Sequence, residues 1–145
     1  RRRHSFPTRR SSDLFLQQRV EALGKLGVAR DRMVLDPGVG FGKTVPQNLA
    51  LLKYQQRLQA SGHAVLAGWS RKSALGAVLE ALPPGITDVS GRSDLLPHDR
   101  SLASVAAVLL AVEKGARIVR VHDVAATRQA LAVWHAMQAL HVGAA

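Results

Sequence analysis

Charged side chains follow three short apolar runs of this sequence. Asp36 comes directly after the run 33–35, Lys72 lies just beyond a second run, and Arg120 and His122 end a third. Arg120 and His122 are two residues apart, so on a strand they share one face and predict an anionic ligand. Asp36 is either a carboxylate that a strand end presents to a site or an ordinary turn acid before Pro-Gly. These residue types favour the binding of an anionic small molecule.

Glycine residues alternate through the segment that follows Asp36. Gly42, Lys43 and Thr44 match the end of the nucleotide phosphate loop G-x-x-x-x-G-K-[ST], but its first glycine would fall on Pro37. The dinucleotide fingerprint G-x-G-x-x-G fails as well. The spacing therefore favours a turn that lets the backbone approach a ligand closely. A nucleotide-binding phosphate loop and a turn without any ligand stay open as alternatives.

Lys72 and Ser73 stand between an apolar run and a helical pattern. Ser73 is predicted as the N-cap of that helix, and Lys72 would otherwise be an ordinary surface lysine. A helix start also offers N–H groups and a positive dipole end, so the same position suits a carboxylate or phosphate. The scattered histidines show no metal-ligand spacing, and no metal site is predicted among them.

Helical and strand patterns alternate along the chain. Apolar residues at helical spacing predict five helices, over 15–27, 46–62, 73–82, 101–114 and 124–140. Continuous apolar runs predict three strands, over 33–35, 64–69 and 117–121. A long loop is predicted over 83–100. This alternation predicts an α/β fold with a parallel sheet, in which ligands bind at the carboxyl ends of the strands.

Two helices carry apolar residues that we assign to the core. For helix 46–62 they are Leu49, Leu52 and Leu58; for helix 101–114 they are Leu102, Val105, Ala106, Leu109 and Val112. Three strands cannot close a sheet, and a (β/α)8 barrel needs about 250 residues. We therefore expect an incomplete fold with an exposed strand edge.

The bulk composition is that of a globular domain, with 47% hydrophobic and 21% charged residues. The net charge is +10, but residues 1–14 hold five arginines against one aspartate, and the remainder, with 15 basic and 9 acidic residues, is +6. Few aromatic residues are present for base stacking, so nucleic-acid binding is disfavoured. No apolar run is long enough to cross a membrane and there are no cysteines, so a soluble protein without disulfides is expected.

Residues 1–14 show no helical or strand period, and the composition changes abruptly at Phe15. A transit peptide would also be rich in arginine and serine, but it would be amphipathic and usually longer. We interpret 1–14 as a non-native or disordered basic segment, and 15–145 as the domain.

Three motifs together closely resemble the dihydropteroate synthase family of folate biosynthesis. They are DPGVGFGK at 36–43, SRKS at 70–73 and RVHDV at 120–124, in the family's order and with suitable spacing. The resemblance implies a TIM (β/α)8 barrel, of which 15–145 would be the C-terminal part, with the last three strands and their helices. It also implies a transferase that condenses 6-hydroxymethyl-7,8-dihydropterin diphosphate with 4-aminobenzoate to 7,8-dihydropteroate and diphosphate.

For the pterin diphosphate, the resemblance assigns four residues. Asp36 would grip the amino-pyrimidinone edge of the pterin, because a carboxylate accepts paired N–H bonds. Lys72 would lie beside the pterin, and Arg120 and His122 would line it and bind the diphosphate. Lys72, Arg120 and His122 would be the catalytic residues. The family uses Mg2+ bound with the diphosphate, but its protein ligand, an asparagine of the family's N-terminal half, cannot be placed in this sequence.

For 4-aminobenzoate, the resemblance assigns Phe41 to the ring, Ser73 to the carboxylate and Lys72 to the space beside them. It further implies small-molecule substrates, a cytoplasmic location and a homodimer, with no nucleic-acid or membrane partner. The chain alone is expected to be inactive, since the family's N-terminal half supplies further contacts. The nearest alternative is a pterin-binding methyltransferase domain, which has the same barrel but no aminobenzoate to explain Phe41 and the SRKS motif.

Overall fold

The computed structural model describes residues 8–83 and 100–140, so most of the predicted loop 83–100 lies outside the described residues. Helices and strands alternate as the sequence predicts. In chain order they are α1 (Thr8–Lys25), a 3-10 turn (Arg30–Arg32), β1 (Val34–Leu35), α2 (Val45–Lys53), α3 (Gln56–Gln59), β2 (Ala64–Ala67), α4 (Ser73–Glu80), α5 (Ser101–Glu113), β3 (Ile118–Val119) and α6 (Val124–Ala139).

The three strands form a parallel sheet in the order β1-β2-β3. Val34 lies opposite Ala64 between the first two strands, and Leu66 lies opposite Ile118 between the last two. In the described part of the chain, β1 and β3 each pair on one side only. The sheet is therefore open, as predicted, and the carboxyl ends of all three strands lie at the same edge.

The core lies between the sheet and the helices α2, α4 and α5. Its members are small or medium apolar residues around one large ring: Val39, Leu51, Leu52, Ala67, Trp69, Leu75, Ala107, Val108, Ala111 and Ala116. Trp69, two residues after the end of β2, is almost fully buried. Burial of this ring anchors the segment that carries Ser70 and Lys72.

The predicted helix 46–62 is interrupted, and its assigned face is partly wrong. The helix ends with α2 and resumes as α3, and Gln55 lies between the two. The buried side chain of Gln55 points towards the end of α5. Its Nε2 donates hydrogen bonds to the carbonyl oxygens of Ala111 (2.7 Å) and Lys114 (3.3 Å). A buried amide that satisfies helix-end carbonyls fixes the two helices together. Leu49, which we assigned to the core, is exposed.

Helix α5 packs on a face other than the predicted one. Its buried residues are Ser104, Ala107, Val108 and Ala111. Leu102, assigned to the core, is 79% exposed, and Ala106 is also exposed. The helix is apolar around almost its whole circumference, so periodicity could not identify the inner face. The small side chains face inward because they let the helix approach its neighbours closely.

Helix α1 begins at Thr8, seven residues before the helix that we predicted from Phe15. The prediction that 1–14 lacks helical structure is therefore wrong for residues 8–14, while residues 1–7 lie outside the described part. Among the apolar residues of this segment, Leu16 and Val20 in α1 are half-buried, whereas Leu26, just after the helix, is exposed. Among the helices of the described ranges, none combines the length and the apolar character needed to span a bilayer.

Candidate functional site

Asp36 and Arg120 meet across the end of the central strand. Asp36 Oδ1 accepts a hydrogen bond from the Gly38 N–H (2.8 Å), and Arg120 Nη2 lies 3.4 Å from Asp36 Oδ2. The Arg120 N–H donates to the Ala67 carbonyl (3.0 Å), which fixes its backbone beside β2. A Cβ at Gly68 would lie 2.9 Å from Arg120 Nη2. The missing side chain at Gly68 therefore lets the guanidinium pass over β2 to the carboxylate.

The glycine loop is held by two side chains that follow it. Lys43 Nζ donates to the carbonyl oxygens of Gly38 (2.9 Å) and Phe41 (3.1 Å). The buried Asn48 accepts from the Gly40 N–H (2.7 Å) and donates to the Lys43 carbonyl (3.2 Å). The Lys43 ammonium is thus used inside its own loop. This arrangement argues against the nucleotide phosphate loop, whose lysine must reach the ligand's phosphates.

Phe41 and Lys72 form a cation–π pair at the mouth of the site. Phe41 is 66% exposed, and Lys72 Nζ lies 4.5 Å from the centre of its ring. The lysine side chain crosses Gly40, where a Cβ would lie 2.9 Å from Lys72 Cδ. Gly40 has a φ of +84°, which favours glycine. The loop conformation and the absence of a side chain together allow this pair.

Ser73 is the first residue of α4, and the N-cap position belongs to Lys72. The predicted N-cap is therefore wrong by one residue. The Lys72 side chain makes no capping hydrogen bond. The start of α4 consequently has backbone N–H groups without a side-chain cap, as the predicted contact to a carboxylate requires.

His122 is held by Ser70, a residue whose role the sequence did not reveal. The buried Ser70 Oγ accepts a hydrogen bond from the His122 N–H (3.1 Å). The same oxygen lies 3.0 Å from His122 Nδ1. Both the backbone and the ring of His122 are therefore fixed by one hydroxyl.

Arg71 ties the β2–α4 loop to the β3–α6 loop. Its guanidinium donates two hydrogen bonds to Asp123, at 2.7 and 3.2 Å. Arg71 has a φ of +58°, an unusual value for a residue with a side chain, and its N–H donates to Ser104 Oγ (2.9 Å). The hydrogen bond from Arg71, followed by its charge, holds the pKa of Asp123 below its usual value against the opposing effect of desolvation. The same hydrogen bond raises the pKa of Arg71.

Three of the predicted site residues line one cavity of about 510 Å³, namely Lys72, Arg120 and His122. Asp36 reaches Arg120, and Phe41 reaches Lys72, but Asp36, Phe41 and Ser73 are not part of the cavity wall. Two larger cavities lie elsewhere, one of about 730 Å³ at the amino ends of the strands and one of about 600 Å³ beside α1. The chemistry-bearing residues therefore gather at the carboxyl ends of the strands, as predicted.

The carboxylates near this cavity already have partners. Asp36 is bonded by Gly38 and Arg120, and Asp123 by Arg71. Within the described ranges, no three His, Asp or Glu side chains lie close enough to hold a metal ion. None of the described residues that line the cavity is a carboxylate. A Mg2+ ion that binds there with a phosphate group would need only one or two protein ligands and would take them from elsewhere.

Asn48 and Ser104 are two further supporting residues that were not predicted from the sequence. Both are buried polar residues on helix faces that otherwise bury apolar side chains. Asn48 lies three and four residues before the buried Leu51 and Leu52, so a polar residue at core spacing was the available signal. Ser104 gave no comparable signal, because the inner face of α5 was itself not predictable.

The family model described as "Pterin binding enzyme" matches residues 8–122. A dihydropteroate synthase from Haemophilus influenzae is 42% identical over 123 residues, which are 84% of this chain and 39% of that protein. The solved dihydropteroate synthase of Xanthomonas albilineans with 4-aminobenzoic acid superposes with a TM-score of 0.82 at 41% identity, covering 96% of this chain and 46% of that one.

The same Xanthomonas albilineans enzyme in complex with 7,8-dihydropteroate gives a TM-score of 0.82, covering 95% of this chain and 48% of that one. The chain thus spans less than half the length of these relatives. These structures confirm the predicted fold class, a three-stranded part of a (β/α)8 barrel. The match of the family model over most of the chain, together with the shared fold and the three strand-end motifs, shows that this chain belongs to the family of pterin-binding enzymes.

Proposed function

We propose that this chain provides part of the active site of a dihydropteroate synthase, the transferase that joins 6-hydroxymethyl-7,8-dihydropterin diphosphate to 4-aminobenzoate in folate biosynthesis. The observation that carries the proposal is the Asp36–Arg120 ion pair at the carboxyl ends of β1 and β3. The pair places a carboxylate beside a guanidinium. A ligand that joins a heterocycle with N–H donors to an anionic group requires both, the carboxylate for the heterocycle and the guanidinium for the anion.

Asp36 binds the pterin in this proposal. Its Oδ1 is oriented by the Gly38 N–H, which leaves Oδ2 directed towards Arg120. A carboxylate accepts paired N–H bonds from the amino-pyrimidinone edge, which fixes the ring's orientation. Arg120 is well exposed and its contact to Asp36 is long, so the guanidinium is free to turn to the substrate's phosphates.

Arg120 and His122 bind the diphosphate, and Lys72 completes the positive wall of the cavity. As the bond between the pterin methylene and the diphosphate breaks, negative charge grows on the leaving oxygen. Fixed cationic groups and N–H donors stabilise that charge. We further propose that Mg2+ enters with the diphosphate and takes its protein ligand from outside the described residues; when bound, it would neutralise phosphate charge.

Phe41, Lys72 and Ser73 hold 4-aminobenzoate. The exposed Phe41 ring offers a flat surface for the aminobenzoate ring, and the uncapped start of α4 at Ser73 offers N–H groups to its carboxylate. Lys72, which lies over the Phe41 ring, is placed between the proposed pterin site and the proposed 4-aminobenzoate site. Holding the arylamine beside the pterin methylene is the main catalytic contribution of these residues.

The partners that we propose are small-molecule substrates and a second copy of the whole enzyme, with no nucleic acid or membrane, in the cytoplasm. The outward face of α5 carries Leu102 and Leu110, and the neighbouring α6 carries Val133 and Met137, all of them exposed. Exposed apolar faces of this kind are typical of oligomer interfaces. The absence of cysteine suits a reducing compartment.

Titration calorimetry tests the proposal on two samples: the 145-residue chain, and the chain joined to the amino-terminal portion of the Haemophilus influenzae relative, which we name the completed enzyme. We expect the completed enzyme to bind pterin diphosphate and to ignore ATP. Asp36→Asn in the completed enzyme should weaken pterin diphosphate binding strongly. Tight ATP binding with no response to pterin diphosphate would instead establish a nucleotide phosphate loop.

A further inference from the structure

The hydroxyl of Ser70 makes two contacts with one histidine. Its Oγ lies 3.1 Å from the His122 backbone nitrogen and 3.0 Å from the ring Nδ1. Among the described residues, these are the hydrogen bonds of this hydroxyl. Ser70 is only 6% exposed, and it lies at the wall of the same cavity as His122.

The direction of each hydrogen bond follows from counting protons. A hydroxyl has one proton to donate and two lone pairs to accept with, whereas a backbone N–H can only donate. Ser70 Oγ must therefore accept from the His122 N–H. Its single proton then has one acceptor within reach, the ring Nδ1. If Nδ1 carried the proton instead, the buried hydroxyl proton would be left without a partner, which is unfavourable.

We propose that Ser70 is a positioning residue that fixes His122 in the tautomer with the proton on Nε2. With Nδ1 accepting from Ser70, the outer ring nitrogen is an N–H donor at the wall of the cavity that Lys72 and Arg120 also line. Given the proposed function, on which this role rests, that donor faces the diphosphate. A neutral imidazole with the opposite tautomer would turn a lone pair towards the anion and repel it.

The chain contains a second serine–histidine pair that serves as a matched contrast. Ser61 Oγ lies 3.2 Å from His63 Nδ1, close to the 3.0 Å between Ser70 Oγ and His122 Nδ1. Here, however, the hydroxyl proton is already donated to the Leu58 carbonyl (2.6 Å). Ser61 can only accept from the ring, so His63 should carry its proton on Nδ1. Two neutral histidines of one chain are thus assigned opposite tautomers by the same counting rule.

Nuclear magnetic resonance of the nitrogen-15-labelled 145-residue chain tests this assignment, because the two ring nitrogens of a neutral imidazole differ clearly in chemical shift. Spectra are recorded well above the usual histidine pKa of about 6.5. Signals are assigned with His122→Gln and His63→Gln. The variants are Ser70→Ala, Ser70→Thr, which keeps the hydroxyl, and Ser61→Ala as the control. Backbone amide spectra establish that each variant remains folded.

We expect Nε2–H at His122 and Nδ1–H at His63 in the unaltered chain. Ser70→Ala should give a mixture of tautomers at His122 and leave His63 unchanged, Ser61→Ala should do the reverse, and Ser70→Thr should retain Nε2–H. A His122 with Nδ1–H, or one that is unaffected by a folded Ser70→Ala, would overturn the proposal. The measurement needs no ligand, so a failure of pterin diphosphate binding would reject the proposed function but would leave the tautomer assignment of His122 standing.

Discussion

Lys72 reaches across Gly40 to place its ammonium 4.5 Å from the centre of the exposed Phe41 ring. The two residues come from loops that follow different strands, and neither loop could present the pair alone. The pair joins the end of β1 to the start of α4, where the two substrates of the proposed reaction would meet.

Phe41→Ala should raise the KM of the completed enzyme for 4-aminobenzoate about tenfold, because a ring pair contributes ~0.5–1.5 kcal/mol beyond simple burial. The KM for pterin diphosphate should change little. Steady-state kinetics with each substrate varied in turn measures both values. Phe15→Ala is the matched control, since Phe15 is also exposed and also lies under a cation, Arg19, at 5.0 Å. Equal effects of the two substitutions would contradict the role of Phe41.

Gly40→Ala and Gly42→Ala separate backbone strain from displacement of Lys72. Both glycines have positive φ, so each alanine should cost roughly 1 kcal/mol of stability. Only at Gly40 does the new Cβ meet Lys72, whereas nothing lies within 4 Å of a Cβ at Gly42. We expect similar losses of stability in urea unfolding, but a larger loss of 4-aminobenzoate affinity for Gly40→Ala in the completed enzyme. Equal 4-aminobenzoate affinities of the two variants would show that the position of Lys72 does not depend on the missing side chain at Gly40.

Asn48→Ala should destabilise the 145-residue chain by about 2 kcal/mol, because it removes a buried amide and leaves loop groups unpaired. The amide binds the Gly40 N–H and two carbonyl oxygens of the loop. Gln47→Ala, the neighbouring substitution in the exposed capping box of α2, should cost about 1 kcal/mol or less. Urea unfolding compares them. A larger effect at Gln47 would mean that the loop is not held by Asn48.

The Arg71–Asp123 pair predicts a dependence of stability on acid pH. The folded pKa of Asp123 lies below its unfolded value, so the unfolded state binds more protons in this range. The contribution of Asp123 is therefore fully present above the unfolded pKa of about 3.9 and is lost as the pH falls through the lower folded value. Asp123→Asn should therefore reduce the dependence of the unfolding free energy on pH in this range. Urea unfolding at several pH values measures that dependence.

Arg71→Gln should reduce the pH dependence of the unfolding free energy to the same extent, because the hydrogen bond from Arg71 is the main cause of the lowered pKa of Asp123. The double variant should behave as either single variant does. A pH dependence that persists in Arg71→Gln but vanishes in Asp123→Asn would assign the effect to another partner of Asp123.

The strand ends could be predicted because their signals are local. A short apolar run followed by Asp36, or by Arg120 and His122, places a polar group at a strand end whatever the surrounding structure does. The parallel sheet follows from the alternation of helices and strands. These local patterns predicted the open sheet and the strand-end positions of Asp36, Lys72, Arg120 and His122, whereas Phe41 was assigned only through the family resemblance.

The supporting contacts could not be predicted because their partners lie far along the chain. Gln55 interrupts the predicted helix to bind Ala111, and Arg71 binds Asp123, across separations that no local pattern reports. The inner face of α5 was missed for another reason: its apolar residues surround the helix, and packing rather than period decides which side is buried. The direction of a hydroxyl such as Ser70 likewise depends on the folded neighbours.

The release of diphosphate by the completed enzyme, measured with both substrates and with either one omitted, tests the central claim most directly. We expect release that requires both 4-aminobenzoate and pterin diphosphate, that falls at least about a hundredfold in Asp36→Asn through loss of a charged hydrogen-bond pair, and that is negligible for the 145-residue chain alone. Turnover by the completed enzyme that is unaffected by Asp36→Asn, or turnover by the chain alone near that of an intact relative, would contradict the account.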